Sequence, residues 1–243
     1  MCKLFGGSMA SSAVCYRVIP VMLIIAALVW IALHIGLAGT RLRDRIVRGI
    51  GEGPFRGVFS VLSIAALIWL IRSYNVAATV SLWRPPSWLV ALLVLAMLPA
   101  CLLFIGSVTA PNPTMIAGER AKGEPRSFHR ITRHPMLWSF AIWAAVHIIG
   151  NGDIASLVFF GAFLITALAG MPSIDAKLAR RDRATWSTLE TSTSVVPFAA
   201  IAQGRNRLVW NEIGLWRAGL GVLLWALLLY LHPIVIGVSP LPH

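Results

Sequence analysis

The stretch ITRHPMLWSFAIWAAVHII, residues 131–149, decides the fold. Its opening is polar and basic, and from Met136 to Ile149 almost every side chain is apolar. Pro135 suits the first position of a helix, where its missing N–H has no intrahelical partner to lose. The junction predicts a helix that starts at a basic surface and runs into hydrocarbon, with Arg133 and His134 at its mouth. Unpaired amides at such a mouth favour an anion or a cofactor carboxylate, and an imidazole there can act as a metal ligand.

Outward from this stretch the same apolar character recurs along the chain. Hydrophobic residues make up 58% of the sequence and charged residues 12%, with a mean hydropathy of +0.78. A membrane span needs roughly 20 predominantly apolar residues. Stretches near 18–39, 57–74, 88–109, 136–149, 154–171 and 214–236 approach that length, which predicts an all-α polytopic membrane protein of about six transmembrane helices. Spans four and five are short and joined only by Gly150-Asn151-Gly152-Asp153, a run that predicts a tight hairpin. No repeat, linker or low-complexity tract divides the chain, so residues 1–243 read as one transmembrane domain. The first apolar run is too long for a signal-peptide core of about 7–15 residues and reads as a retained span. Cys2, Cys15 and Cys101 show no metal or redox spacing and imply no disulfide framework.

The net charge of +12 is distributed by loop. Arg41, Arg43, Arg45, Arg48 and Arg56 fall between spans one and two. Arg120, Lys122, Arg126, Arg130 and Arg133 fall between three and four, and Lys177, Arg180, Arg181, Arg183, Arg205 and Arg207 between five and six. The alternate connections carry only Arg84. This is the positive-inside pattern, which predicts three cytoplasmic loops and both termini outside the cytoplasm. Such a distribution points to a lipid bilayer with anionic headgroups and away from nucleic acid.

Ionisable side chains inside a membrane are costly, so each histidine carries a functional reading beside a structural one. His34 lies about two helical turns before Arg41, in the cytoplasmic half of span one, and His134 enters at a similar depth. His129 sits just outside. His147 lies about 20 Å deeper than His134 and joins Asp153 and His232 near the other face. For His34 two readings stand: a hydrogen bond to a neighbouring helix backbone, or an axial ligand to haem iron. Two such ligands must come from different helices at one depth, a condition that pairs His34 with His134. His147 reads as a packed or interfacial histidine, and His232-Pro233 as the end of span six. Arg41 and Arg43 directly follow span one, where a guanidinium can pair a propionate or phosphate bidentately, although loop arginines ordinarily only set topology.

An ordered set of motifs adds to this reading. It comprises His34-Ile-Gly-Leu-Ala38 with Arg43-Asp44, Gly51-Glu-Gly-Pro-Phe-Arg-Gly57, and Leu82-Trp83 with Pro86. It continues with Ile131-Thr-Arg-His-Pro-Met136, Trp143-Ala-Ala-Val-His147 and Asn151-Gly-Asp153. Thr193-Ser-Val-Val-Pro-Phe-Ala-Ala-Ile201 and Gly204-Arg205 complete it. In this order and spacing the chain resembles the NnrU family of bacterial membrane proteins over nearly its whole length. That family is associated with nitric oxide metabolism and denitrification, and it is related to the plant and cyanobacterial zeta-carotene isomerases, which carry haem b. The resemblance implies a bacterial inner-membrane protein supporting nitric oxide metabolism, with nitrogen-oxide reductase components or a hydrophobic polyene as partner or substrate. It also implies haem b held at His34 and His134 as metal ligands, with Arg133 and Arg43 beside its carboxylates. His34 matches the isomerases' proposed first ligand, whereas their proposed His-His pair falls near Thr166 and Ala167 here; either His134 substitutes, the iron has a single protein ligand, or no haem is bound. The alternative function is haem-dependent cis–trans isomerisation of a carotenoid. A more distant resemblance, Arg133-His134-Pro135 with a later charged segment from Asp175 to Pro197, is to membrane methyltransferases that use S-adenosylmethionine. It implies that Arg133, His134 and residues 175–197 form one site. A non-catalytic accessory role is the remaining alternative.

Overall fold

A computed structural model describes residues 21–110 and 125–242. Among these residues the structure is helical throughout, apart from one isolated antiparallel bridge between Ser81 and Asp153. Helix α1, Val21–Leu37, ends in a π-helical turn, Ala32–Leu37, that contains His34. The chain bends by 73° into α2, Arg41–Ile50. Thr40 makes the new start by accepting from the amide of Leu42. Gly51, at φ +86°, then turns the chain into α3, Glu52–Asn75.

Helix α4 is Ser87–Thr109, α5 is Pro135–Asn151 and α6 is Ile154–Arg181. Pro135 occupies the first turn of α5, as its chemistry requires. Gly152 ends α5 in the left-handed conformation, and the Asp153 carboxylate caps α6 by accepting from the Ser156 amide at 2.9 Å. Helix α7, Arg183–Ser192, starts on an Asp182 cap. Two single turns, α8 (Ala199–Ala202) and α9 (Trp210–Ile213), lead to α10, Leu215–Val235.

Helices α3, α4, α6 and α10 are long and apolar enough to cross a membrane, and the bent pair α1–α2 raises the number to five if it is one span. The six spans expected from hydropathy are therefore not all matched. At 17 residues α5 rises only about 25 Å, below the roughly 30 Å of a hydrocarbon core. The apolar run after Asp153 also continues past its expected end at 171, because polar Asp175 and Lys177 find partners and the helix persists to Arg181.

The helices form a row, α10 against α4, α4 against α5 and α5 against α6, with α1 and α3 beyond α6. Leu23, Ala26, Ala27, Leu70, Ala144, Phe159, Phe160 and Ala162 make the main buried cluster. Its many alanines let backbones approach closely, which is how helices associate where lipid is as apolar as leucine. A second cluster, Leu103, Phe128 and Ile131, fixes the short 3-10 turn Ser127–Arg130 against α4. Exposed Val58, Val61, Ile64, Leu223 and Leu227 are the complementary lipid-facing sides of α3 and α10.

Candidate functional sites at the two ends of α5

The mouth of α5 is a closed polar network. The Arg133 amide donates to the Ser194 carbonyl at 2.8 Å, and the Phe198 amide donates to the Ile131 carbonyl at 2.8 Å. Thr132 Oγ1 and Trp138 Nε1 both donate to the Val195 carbonyl, at 2.7 and 2.8 Å. The segment 193–198 is thereby laid along the start of α5. Side chains complete the lock. Arg133 Nη1 donates to Asp175 Oδ2 at 2.7 Å, and its Nε donates to Thr193 Oγ1 at 3.0 Å. His134 Nε2 lies 2.9 Å from Asp175 Oδ1. The Arg133 guanidinium also sits over the Trp186 ring at 4.8 Å. Arg133, His134 and Asp175 are all buried.

Chemically this is a carboxylate shared between a guanidinium and an imidazole. It satisfies buried charge rather than presenting it to a ligand, since His134 is 2% exposed and its Nε2 is already engaged. His129, on the adjoining 3-10 turn, is fully buried, and neither ring nitrogen has a partner among the described residues. Burial, reinforced by the nearby His134, pushes its pKa down to about 4. Glu212 closes the same end: it accepts from the Ser127 amide and from Arg130, whose hydrogen bond holds its carboxyl below the usual range.

The structure thus brings together Arg133, His134 and the segment from Asp175 to Thr193. It gives His34 and Arg43 other neighbours. His34 Nδ1 lies 2.9 Å from the Trp30 carbonyl, and its ring packs on Trp30 and Phe59. Just beyond it, the Ala38 and Gly39 carbonyls accept from Lys177 and Ser173 of α6. Asp175 lies between those two residues, so at 100° per residue it faces nearly the opposite side of the helix. The cytoplasm-proximal end of α6 expected from the charge pattern therefore stands between His34 and the His134 corner. Arg43 is buried, donating to Asp44 and Glu52 with its guanidinium 5.3 Å from the Phe55 ring centre. Among the described residues no group of three or more His, Cys, Asp or Glu side chains converges to hold a metal ion.

The opposite end of α5 holds the arrangement that sequence reasoning missed. A cavity of about 420 Å³ lies between α4, α5 and α10, walled by Val90, Val94, Met97, Trp143, Leu228 and Leu229. His147 and His232 also line it, from α5 and α10. Their ring centres are 6.5 Å apart with the planes inclined by 26°. His147 Nδ1 is 2.7 Å from the Trp143 carbonyl, and His232 Nδ1 is 2.6 Å from the Val238 carbonyl. Each ring is therefore oriented through Nδ1, leaving Nε2 as the nitrogen for a ligand. Depth placed both residues in one layer at the sequence level, but nothing local in sequence says that α5 and α10 are lateral neighbours across this cavity. Asp175 did carry a signal: it is an acid two turns inside a long apolar helix, where ionisable residues signal a partner.

Comparison with known proteins places these features in context. A family model described as NnrU protein matches residues 22–240. The chloroplastic 15-cis-zeta-carotene isomerase of Arabidopsis thaliana is 25% identical over 193 residues, 77% of this chain and 52% of that protein. The corresponding Zea mays isomerase is 34% identical over 79 residues, 32% of this chain and 22% of that protein. The chain thus spans about half the length of one curated relative and about a fifth of the other in these matches. No solved structure matches.

Proposed function

The chain belongs to the NnrU family, and from that premise we propose that it is a membrane enzyme that binds haem b and isomerises a cis double bond of a hydrophobic polyene. One observation carries the haem part: His147 and His232 face one apolar cavity from different helices, each with Nδ1 committed to a backbone carbonyl. The similarity to two zeta-carotene isomerases supports the substrate class.

The donor set fits the group. Neutral imidazole is a common haem ligand. Two imidazoles that face one cavity, each oriented through Nδ1, are donors that could hold an iron through Nε2. Their ring centres lie 6.5 Å apart. The cavity volume lies within the range of about 300–1,000 Å³ typical of cofactor and ligand sites. His147 and His232 would hold the iron; bound haem would supply a redox-active metal next to the reacting double bond. The chain's own contribution is orientation and apolar contact. The Trp143 and Val238 carbonyls fix the imidazoles, while Val90, Val94, Met97 and Leu229 offer dispersion contacts to a hydrocarbon chain. His134 is not part of this reading, because it is buried in the Arg133–Asp175 network and does not line the cavity.

The test is the visible spectrum of the full-length protein purified after expression with ample haem. A Soret band that is lost or shifted in His147→Ala and in His232→Ala is expected, with the band retained in His134→Ala. No band in the parent protein, or a band unchanged in both cavity variants, overturns the reading. Loss in His34→Ala with retention in His232→Ala would move the second ligand to His34. Chromatographic conversion of a 15-cis polyene by the reconstituted protein, absent from the His147 variant, tests the reaction itself.

A further inference from the structure

The segment Arg41-Leu-Arg-Asp-Arg-Ile-Val-Arg-Gly-Ile50 forms a complete helix, α2, bent by 73° from α1. Its faces are sharply divided. Arg43 points inward and is held by Glu52 and Asp44, and Asp44 is also paired with Arg180 at 3.7 Å. These ion pairs fix one side of α2 to α3 and α6. Leu42, Ile46 and Ile50 succeed one another at four-residue spacing on a second face, where Leu42 and Ile50 are 47% and 50% exposed. Arg41, Arg45 and Arg48 make a third face, exposed and without a carboxylate partner among the described residues.

A helix with five charged residues in ten does not lie in hydrocarbon, so α2 is not the second half of a broken span. Nor does water alone suit it, because it exposes a row of large aliphatic side chains beside a row of arginines. The interface between headgroups and acyl chains suits both rows. The bend supports that placement: α1 packs against the span α6, and a 73° turn away from it lays α2 close to the membrane plane.

We propose that α2 is an interfacial helix that binds anionic phospholipid headgroups through Arg41, Arg45 and Arg48, with Leu42 and Ile50 inserted at the acyl boundary. The committed occupant is lipid, on grounds of charge complementarity: guanidinium groups pair phosphate oxygens bidentately, and these three have no internal acid to satisfy them. Arg43 is the internal anchor and contributes no headgroup contact.

Two measurements on the full chain, reconstituted in phosphatidylcholine vesicles with or without phosphatidylglycerol, test this. Fluorophores placed at Leu42→Cys and Ile50→Cys, in a background lacking Cys2, Cys15 and Cys101, are expected to be quenched by nitroxides near the headgroup end of the acyl chain. A fluorophore at Arg45→Cys is expected to be quenched by an aqueous agent. Native mass spectrometry of the protein with its own cysteines is expected to show retained phosphatidylglycerol, with its relative association falling about fivefold for each of Arg41→Gln, Arg45→Gln and Arg48→Gln. Quenching of Leu42 and Ile50 from the bilayer centre would make α2 part of a span and overturn the proposal. So would water access at both sites, or protection from both phases, which would mean another protein covers the helix. Equal lipid retention in the triple Arg→Gln variant overturns the headgroup assignment whatever the labels report.

Discussion

At the scale of single residues, Asp175 holds the corner at the mouth of α5. Its two oxygens are divided between Arg133 and His134, and the Arg133 side chain is only 8% exposed. Removing the carboxylate leaves a guanidinium buried without a counter-charge, a loss that costs about 3–5 kcal/mol in comparable buried pairs. Asp175→Leu should lower the thermal midpoint in detergent accordingly. Arg133→Met combined with Asp175→Leu should cost less than Asp175→Leu alone, since the pair then leaves no orphan charge. A double variant at least as unstable as the single would refute this account. His129 makes a separate prediction about acid. Its folded pKa of about 4 lies below the ordinary 6.5, so between those values the unfolded chain binds more protons than the folded one. Stability must therefore rise with pH through this window and be lost as pH falls through it, by on the order of 3 kcal/mol in full. Midpoints measured from pH 7.5 down to 4 should show the loss, and His129→Leu should flatten it. An equally steep profile in that variant would assign the acid sensitivity elsewhere.

At the scale of elements, the α5–α6 junction depends on one backbone conformation. Gly152 has φ +64°, and a Cβ built on it would lie 2.2 Å from the Trp83 carbonyl oxygen. That carbonyl belongs to a segment held by backbone, because the Leu82 and Trp83 amides both donate to the Gly152 carbonyl and the Ile154 amide donates to Val80. Gly152→Ala therefore meets both left-handed strain, about 1–3 kcal/mol alone, and a clash that no side-chain rotation relieves. Gly161, inside α6, has nothing within 4 Å of such a Cβ, so Gly161→Ala should be neutral or stabilising by up to about 1 kcal/mol. The thermal midpoint should fall in Gly152→Ala and hold or rise in Gly161→Ala; an equal fall in both would show that the junction is not the sensitive point. The same elements show what sequence could convey. Runs such as 88–109 became α4 almost residue for residue, because hydropathy is a local property. The bend near Ala38 and the continuation of α6 to Arg181 depend on Thr40, Ser173 and Lys177 meeting carbonyls or amides of other turns, and local pattern does not encode those meetings.

At the scale of the whole molecule, charge and geometry separate two ends. One end gathers the ion pairs of Arg43 with Glu52, Arg180 with Asp44, Arg133 with Asp175 and Arg130 with Glu212, and Arg205 donates there to the Thr191 and Thr193 carbonyls. The Ser81–Asp153 bridge and the His147–His232 cavity lie at the other, where the bases are sparse and include Arg72 and Arg84. Candidate site residues were legible in sequence as layers of similar depth, and the structure sets His147 and His232 on one cavity. Lateral pairing was not legible: His134 meets Asp175 because α6 packs along α5, and His147 faces His232 because α10, packed on α4, lies across the cavity from α5. The layers give a topology that can be measured directly. Translocating an arginine-rich loop is disfavoured, so the basic end should face the cytoplasm of a bacterial cell. Ser81 and Thr191 are exposed residues at the two ends. In intact spheroplasts, with Cys2, Cys15 and Cys101 replaced, a membrane-impermeant maleimide should label Ser81→Cys and spare Thr191→Cys. Permeabilised cells should label both. The reverse pattern would place the His147–His232 cavity toward the cytoplasm and α2 against the outer leaflet, and the charge asymmetry would then have to arise from something other than insertion.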